Sequence, residues 1–456
     1  MPLRSDQSTP VSAGAAPVPP RTAVTGRTDG ERQPSRLGQL LMFGALVAIG
    51  PLTIDIYLAA FPTLVTELGT TEAAVQLTLT ATLVGLAIGQ LLIGAVADVI
   101  GRRRPLLAAL TAYVVISMVI ALSNSLEALV VLRFLQGLVA AAGMVLSNAM
   151  VRDLYSGSQM ATFISRLFLI VGVAPIIAPT LGAQFLHFGT WRTIFWALAV
   201  FGLVLVTAAL FFTRETLPPA RRRQGGIAPA LRSYAVLLGD RRFVGLVLTA
   251  CTAMGALFAY ISSATFIFQD LYGMSTQEYA LVFAGGAGAL TVASQVNGFL
   301  VKKIHPVRIL MVALPSGLVI STLLLAAALL DLGVVAVVAG VVLVLGATGF
   351  VMPNAPVIAL NDHGERAGSA AALLGAGNFV FGALIAPVTG AFDAASAVPM
   401  AAVMVGCGAV SLLVYWTLAR PRDILATMPW NEDEADVEAA PAEVAASQPV
   451  PGPAAG

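Results

Sequence analysis

Three ionisable residues, Asp55, Arg133 and Arg166, stand inside long apolar runs of this 456-residue chain. A charge at the centre of a bilayer costs about 3 kcal/mol or more, so its presence there points to a purpose. Arg166 lies near the start of its run, from where its long side chain can snorkel to the interface. Asp55 and Arg133 are deeper. At 1.5 Å per residue, Asp55 sits about 9 Å below the end of the first run and Arg133 about 10 Å below the same surface. Opposite charges at matched depth predict a shared polar cavity. Desolvation and a neighbouring guanidinium act in opposite directions on a carboxyl's proton affinity. A carboxyl held between them can exchange protons near neutrality, with Arg133 setting the affinity of Asp55. A ligand competing for that place would be coupled to the proton. The alternative, a purely structural pair, contributes little to stability.

The chain around these residues is built for lipid. Hydrophobic residues make up 58% and charged residues 11%, well short of the quarter or so charged in a water-soluble domain. Twelve apolar runs are long enough to span a bilayer, which needs about 20 residues. They lie at 37–61, 73–97, 105–123, 126–151, 159–187, 191–213, 242–268, 277–300, 306–329, 332–360, 366–392 and 396–419. The fold class expected is therefore an all-α membrane protein of twelve transmembrane helices in two six-helix halves. The halves are 37–213 and 242–419, joined by a polar linker at 214–241 that contains Pro218-Pro219 and Arg221-Arg222-Arg223. Two equal halves suggest an internal duplication. Residues 1–36 read as a disordered arm, and 420–456, rich in Glu, Asp, Ala and Pro, as a solvated acidic tail.

Loop charges set the orientation. One side collects Arg102, Arg103, Arg104, Arg152, Arg214, the linker arginines, Lys302, Lys303, Arg308 and Arg366, and the other has Arg192 as its basic residue. By the positive-inside rule both termini are expected in the cytoplasm of a bacterial cell whose inner membrane the chain crosses many times. Cys251 and Cys407, both in apolar runs, exclude a disulfide framework. His187, His305 and His363 have no metal-like spacing, so neither metal nor cofactor is expected.

Between the second and third runs stands Gly94-Ala95-Val96-Ala97-Asp98-Val99-Ile100-Gly101-Arg102-Arg103-Arg104. Its glycines permit close approach and a tight turn, and Asp98 offers a carboxylate to cations or a helix N-terminus. The segment resembles the G-x-x-x-D-x-x-G-R-[KR] loop of the major facilitator superfamily. The resemblance implies a conformational latch between the halves, formed by Gly94, Asp98, Gly101 and Arg102 with Arg152 and Asp153 as partners. The second-half counterpart, Gly298 to Lys303, lacks the acid, so a one-sided latch is expected. In the fifth run, Gly172, Pro175, Pro179 and Gly182 combine two helix-kinking prolines with small contact residues. That segment resembles the helix-5 motif of the family's antiporters, with alanines at 174, 178 and 183 departing from the fuller pattern.

Further stretches are similar to the bicyclomycin- and chloramphenicol-resistance branch of drug/proton antiporters. They are Gly50-Pro51-Leu52-Thr53-Ile54-Asp55-Ile56-Tyr57-Leu58, Leu132 to Gly137, Met150 to Tyr155, Arg214-Glu215-Thr216-Leu217-Pro218 and Tyr260 to Phe266. The resemblance spans the membrane part and implies proton-coupled export of amphipathic drugs by alternating access. The partners it implies are small molecules, protons and the bilayer, not nucleic acid, with the chain acting as a monomer and not as an enzyme. In such a fold the cargo cavity lies between the halves. Its candidate lining residues are Tyr57, Gln136, Asn148, Tyr260, Phe266, Asn354 and Asn378. No Gly-x-x-x-x-Gly-Lys-[Ser/Thr] loop is present, which argues against ATP as the energy source. A dedicated exporter of one metabolite and a ligand-binding membrane sensor are the competing readings.

Overall fold

A computed structural model describes residues 36–222, 226, 228–390 and 396–427. Of the arm expected at 1–36 and the acidic tail expected at 420–456, residues 1–35 and 428–456 lie outside the described residues. Within them the chain is helical throughout, with no strand. The helices are α1 (Arg36–Asp55), α2 (Phe61–Glu67), α3 (Glu72–Ile100), α4 (Arg103–Ala121), α5 (Leu126–Leu154), α6 (Gly157–Phe188) and α7 (Trp191–Phe212). There follow α8 (Ala228–Gly239), α9 (Arg241–Thr265), α10 (Thr276–Leu300), α11 (Pro306–Leu329), α12 (Val334–Asn361), α13 (Ala367–Gly390), α14 (Val398–Val414) and α15 (Pro421–Thr427). Among the described residues, eleven helical segments are long and apolar enough to cross a membrane. The 32-residue α6, whose second half is also apolar, falls in the fifth of the twelve anticipated places. Large apolar side chains such as Phe211, Leu281 and Val335 stand outward and exposed, as lipid-facing residues do.

Side chains fix where several helices begin. Thr71 and Ser125 accept from Ala74 N and Ala128 N at the starts of α3 and α5, and Ser275 with Glu278 forms a capping box on α10. The first span is interrupted. Pro51 removes a backbone donor inside α1, the helix ends at Asp55, and a 3-10 turn at Leu58–Ala60 leads into α2, where Pro62 favours the new start. The span runs on to Glu67, so Asp55 lies deeper than the sequence estimate of its depth.

The two halves repeat one packing plan. In the first, α1 packs on α5 and α6, α3 on α5, and α4 on α7; in the second, α9 packs on α12 and α13, α10 on α12, and α11 on α14. Contact between the halves runs through α3 with α13 and α6 with α10, two interfaces that exchange when the halves are exchanged. Small residues allow the tightest approach: a side chain on Gly85 or Gly137 would collide with the backbone of the facing helix across the α3–α5 seam.

Two departures from the sequence reading concern the periphery. The 214–241 linker contains α8, which buries Leu237 and whose Tyr234 hydroxyl donates to Leu91 O at 3.1 Å. The residues after 420 begin as α15, with Pro421 and Ile424 buried, because an apolar side chain recurs there on one face. Arg166 is exposed, in keeping with a snorkelling side chain.

Candidate functional site

The face bearing Arg102, Arg152 and Arg241 is called basic, and the opposite one, bearing Glu67, Glu127 and Asp331, acidic. Toward the acidic face the halves touch. Gln76 Nε2 donates to Ser262 O at 3.2 Å, Thr265 Oγ1 donates to Leu58 O at 3.1 Å, and the rings of Phe61 and Phe266 stand 5.9 Å apart. Toward the basic face they part around a cavity of about 420 Å³.

Arg133 is fully buried in the first half, in a network built from four helices. Its Nη1 donates to Gln136 Oε1 at 2.7 Å, and Gln136 Nε2 donates to Ser117 Oγ at 2.8 Å. Its Nη2 donates to Thr53 O at 3.0 Å. The fourth residue on from Thr53 is Tyr57, beyond the end of α1, so the guanidinium serves a carbonyl at the helix terminus. The Tyr57 ring lies 4.6 Å from the guanidinium carbon and the Phe195 ring 5.6 Å, so the charge also rests on aromatic faces. Thr53 Oγ1 meets Tyr113 OH at 2.7 Å, and Tyr57 OH meets Thr78 Oγ1 at 3.1 Å.

Asp55 makes no ion pair with Arg133, which corrects the pairing expected from matched depth. The reason is helical geometry: residues two apart point roughly 200° around the axis from each other. Thr53 faces Arg133, and Asp55 faces the second half. There its carboxylate is close enough to act electrostatically on Tyr260 of α9 and Tyr279 of α10. Asp55 is 4% exposed and makes no hydrogen bond among the described residues. The Tyr260 hydroxyl, also buried, has no hydrogen-bond partner among the described residues, and its ring stacks on Phe283 at 5.4 Å.

The other expected cargo residues separate into groups. Tyr57 and Gln136 are withdrawn into the first half and engaged with Arg133 and its neighbours, a correction with a plain cause, since a buried guanidinium recruits the nearest acceptors and rings. Phe266 closes the contact between the halves. Asn148 lines the basic-face cavity while donating to Met144 O at 3.0 Å. Asn354 donates to Asn297 Oδ1 at 2.6 Å inside the second half, and Asn378 Oδ1 is buried without a hydrogen-bond partner among the described residues.

The residues expected to latch the two halves instead pair with one another within the first half. Arg102 Nη1 meets Asp98 Oδ1 at 2.6 Å and its Nε meets Asp153 Oδ2 at 3.3 Å. A residue missed in the sequence, Glu215, completes the group: Oε1 accepts from Arg102 N at 2.7 Å and Leu217 N at 3.0 Å, and Oε2 from Arg103 N at 3.4 Å. Thr216 Oγ1 donates to Asp153 Oδ2 at 2.9 Å. Partial burial raises the proton affinity of Glu215, but the backbone donors and Arg222 outweigh it and hold its carboxyl below the ordinary range. The signal available in the sequence was the Arg214 to Pro218 stretch, noted there only as a resemblance. Gly101, at φ +100°, turns the chain beneath this carboxylate, and a Cβ there would collide with Glu215. Gly94 and Arg152 border the cavity.

In α6 the motif residues meet different partners. A Cβ on Gly172 would stand 3.0 Å from Thr291 of the second half, and Thr291 Oγ1 donates to Gly172 O at 3.1 Å. Gly182 packs against Ile56 O beside the break in the first span, where no side chain fits. Pro175 and Pro179 stand between these two contacts, inside a helix that continues past both.

The sequence profile of the Major Facilitator Superfamily matches residues 41–387. The chain belongs to the major facilitator superfamily. It is similar to the uncharacterized MFS-type transporter YdgK of Bacillus subtilis, 36% identical over 389 residues that cover 85% of this chain and 96% of that one. It is also similar to the bicyclomycin resistance protein homolog of Haemophilus influenzae, 29% identical over 83% of this chain and 95% of the relative. The multidrug resistance protein MdtL of Escherichia coli matches at 28% over 55% of this chain and 63% of its own length. These relatives agree with the branch to which the motifs point. Among solved structures, a D-xylose-proton symporter superposes with a TM-score of 0.67 at 15% identity, covering 84% of this chain and 98% of the other. A bacterial homolog of the human lysosomal transporter Spinster gives 0.65 at 18%, covering 84% and 96%. Both share the fold. The superfamily chain described here is a multi-pass membrane transporter and not an enzyme.

Proposed function

We propose that the chain exports amphipathic drugs or antibiotics across the bacterial inner membrane in exchange for protons, by alternating access of a site between its halves. One observation carries the reading: a buried carboxylate, Asp55, has no ion partner among the described residues and stands at a break in a membrane helix, on the side turned to the other half. A carboxylate so placed binds a proton or a cargo group, and movement of the halves changes its surroundings. Asp55 is the proton site in this reading. Arg133 positions it by holding the carbonyl two residues earlier, rather than by pairing with it. Tyr260, from the second half, is the first hydroxyl that cargo or the carboxyl would meet.

The latch residues and the α6 motif govern the swing of the halves in this scheme. Charge asymmetry supports cytoplasmic termini, with the basic face inward, and the chain works as a monomer with no cofactor. A membrane potential of 100 mV contributes about 2.3 kcal/mol per charge, enough to concentrate cargo outward. Everted vesicles carrying a preset pH gradient test the proposal against a panel of drugs. Addition of a transported compound should release protons from wild-type vesicles and not from Asp55→Asn vesicles with equal amounts of inserted protein. Proton release by the variant removes Asp55 as the proton site, and release by neither protein for any compound removes the exchange mechanism.

A further inference from the structure

The cavity at the basic face holds more positive charge than it neutralises. Its polar lining includes Gln90, Asp98, Arg102, Asn148 and Arg152 from the first half, and Arg366 and Ser369 from the second. The acids nearby are already committed: Asp98 and Asp153 both bind Arg102, and Glu215 accepts from the backbone at Arg102 and Arg103. Neither the Arg152 nor the Arg366 side chain has a hydrogen bond or an ion pair among the described residues. Arg152 Nη1 lies 3.9 Å from where a Cβ on Gly368 would stand. That places the guanidinium against the first turn of α13, a 24-residue helix whose leading N–H groups add further positive potential. Asp98 and Asp153 act on Arg152 but are shared with Arg102, and no residue lining the cavity from the second half is acidic, so the lining carries excess positive charge that an anion would offset.

We propose that this cavity is an oxyanion site, in which a phosphate-type group is held between Arg152 of the first half and Arg366 of the second. The planar donor fork of a guanidinium matches phosphate oxygens. The cavity also has room for the rest of a lipid headgroup. Because its ligating residues belong to different halves, an occupant favours the present separation of α5 and α13 over arrangements that pull them apart or press them together. The site is independent of proton exchange at Asp55, so failure of the vesicle assay leaves it standing.

Thermal unfolding of the purified full chain in detergent micelles tests it, with inorganic phosphate, phosphatidylglycerol or phosphatidylcholine added in separate series. Sodium chloride at equal ionic strength serves as the reference. A ligand that binds the folded state raises the midpoint with its concentration and saturates the site. The expected result is a saturable rise with phosphate, phosphatidylglycerol or both. A response to phosphate identifies a site open to the free ion, and a response to phosphatidylglycerol alone identifies a headgroup site. Arg152→Gln and Arg366→Gln should each abolish the rise, whereas Arg308→Gln, an exposed arginine outside the cavity, should keep it. If the glutamine variants do not accumulate, Arg152→Lys and Arg366→Lys should weaken the response without removing it. No rise beyond that of chloride, an equal rise with phosphatidylcholine, or a rise unchanged in the cavity variants overturns the proposal.

Discussion

The two halves share their packing and differ in their polar chemistry. The α1–α5, α1–α6 and α3–α5 contacts of the first reappear as α9–α12, α9–α13 and α10–α12 in the second. Where α5 buries Arg133 and Gln136, the corresponding α12 buries Val337, Val341, Val344 and Leu345. Where the first half ties its basic-face loop with Asp98, Arg102, Asp153 and Glu215, the second has Lys302 over the Phe299 ring and no acid in that loop. Small residues and helix lengths are enough to keep a bundle assembled in lipid. Buried charge is costly, so a duplicated bundle retains it only where it is used. On the mechanism proposed above, the first half is the working part and the second its movable wall.

The largest effect that would break this comparison is at Asp55. Asp55→Asn is expected to eliminate proton-driven efflux while leaving membrane insertion normal, and retained transport would return the working role to the second half. Next is Arg133→Met, which leaves Thr53 O and Gln136 Oε1 without their donor. Each buried acceptor orphaned in this way costs about 1–3 kcal/mol, which a lowered thermal midpoint in detergent would register. Val341→Ala in the second half should lower it less.

Gly182→Val should cost about 1–3 kcal/mol through overpacking against Ile56 O. Gly288→Ala in α10, with nothing near its added Cβ, is expected to be neutral or slightly stabilising. Equal effects at the two glycines would refute the close approach at the helix break. The smallest expected effect is at Glu215. Its folded carboxyl holds its proton less tightly than the unfolded one, so its contribution to stability is present above the unfolded value, about 4.3. That contribution fades as pH falls through the lower folded value. Wild type and Glu215→Gln should therefore differ in thermal midpoint near neutral pH and converge in strong acid. A gap that widens on acidification would contradict the contacts made by Glu215.

Much of this was legible in the chain. The apolar runs, the Gly94 to Arg104 loop and the burial of Asp55 and Arg133 within the first bundle follow from length, hydropathy and spacing, whereas the depth of Asp55 changed because its span continues through the break to Glu67. The partner of Asp55 was not legible. Matched depth says nothing of azimuth, and the end of α1 at Asp55 left the Thr53 carbonyl for Arg133 to claim. Tyr57 and Gln136 were misplaced for the same reason, because a polar residue in an apolar helix does not disclose which neighbour it bonds. Glu215 lay in a stretch whose carboxylate acquires meaning only when the chain folds back onto the N-terminus of α4.

Composition alone required lipid as the solvent and helices as the form, since a backbone in hydrocarbon must satisfy its own hydrogen bonds. The rise per residue placed a carboxylate and a guanidinium deep in one bundle. Which way each points, and that they serve different neighbours, depended on a helix break and on side chains distant in sequence but adjacent in space. Contacts of that kind arise from the packing of whole helices, and no stretch of residues carries them by itself.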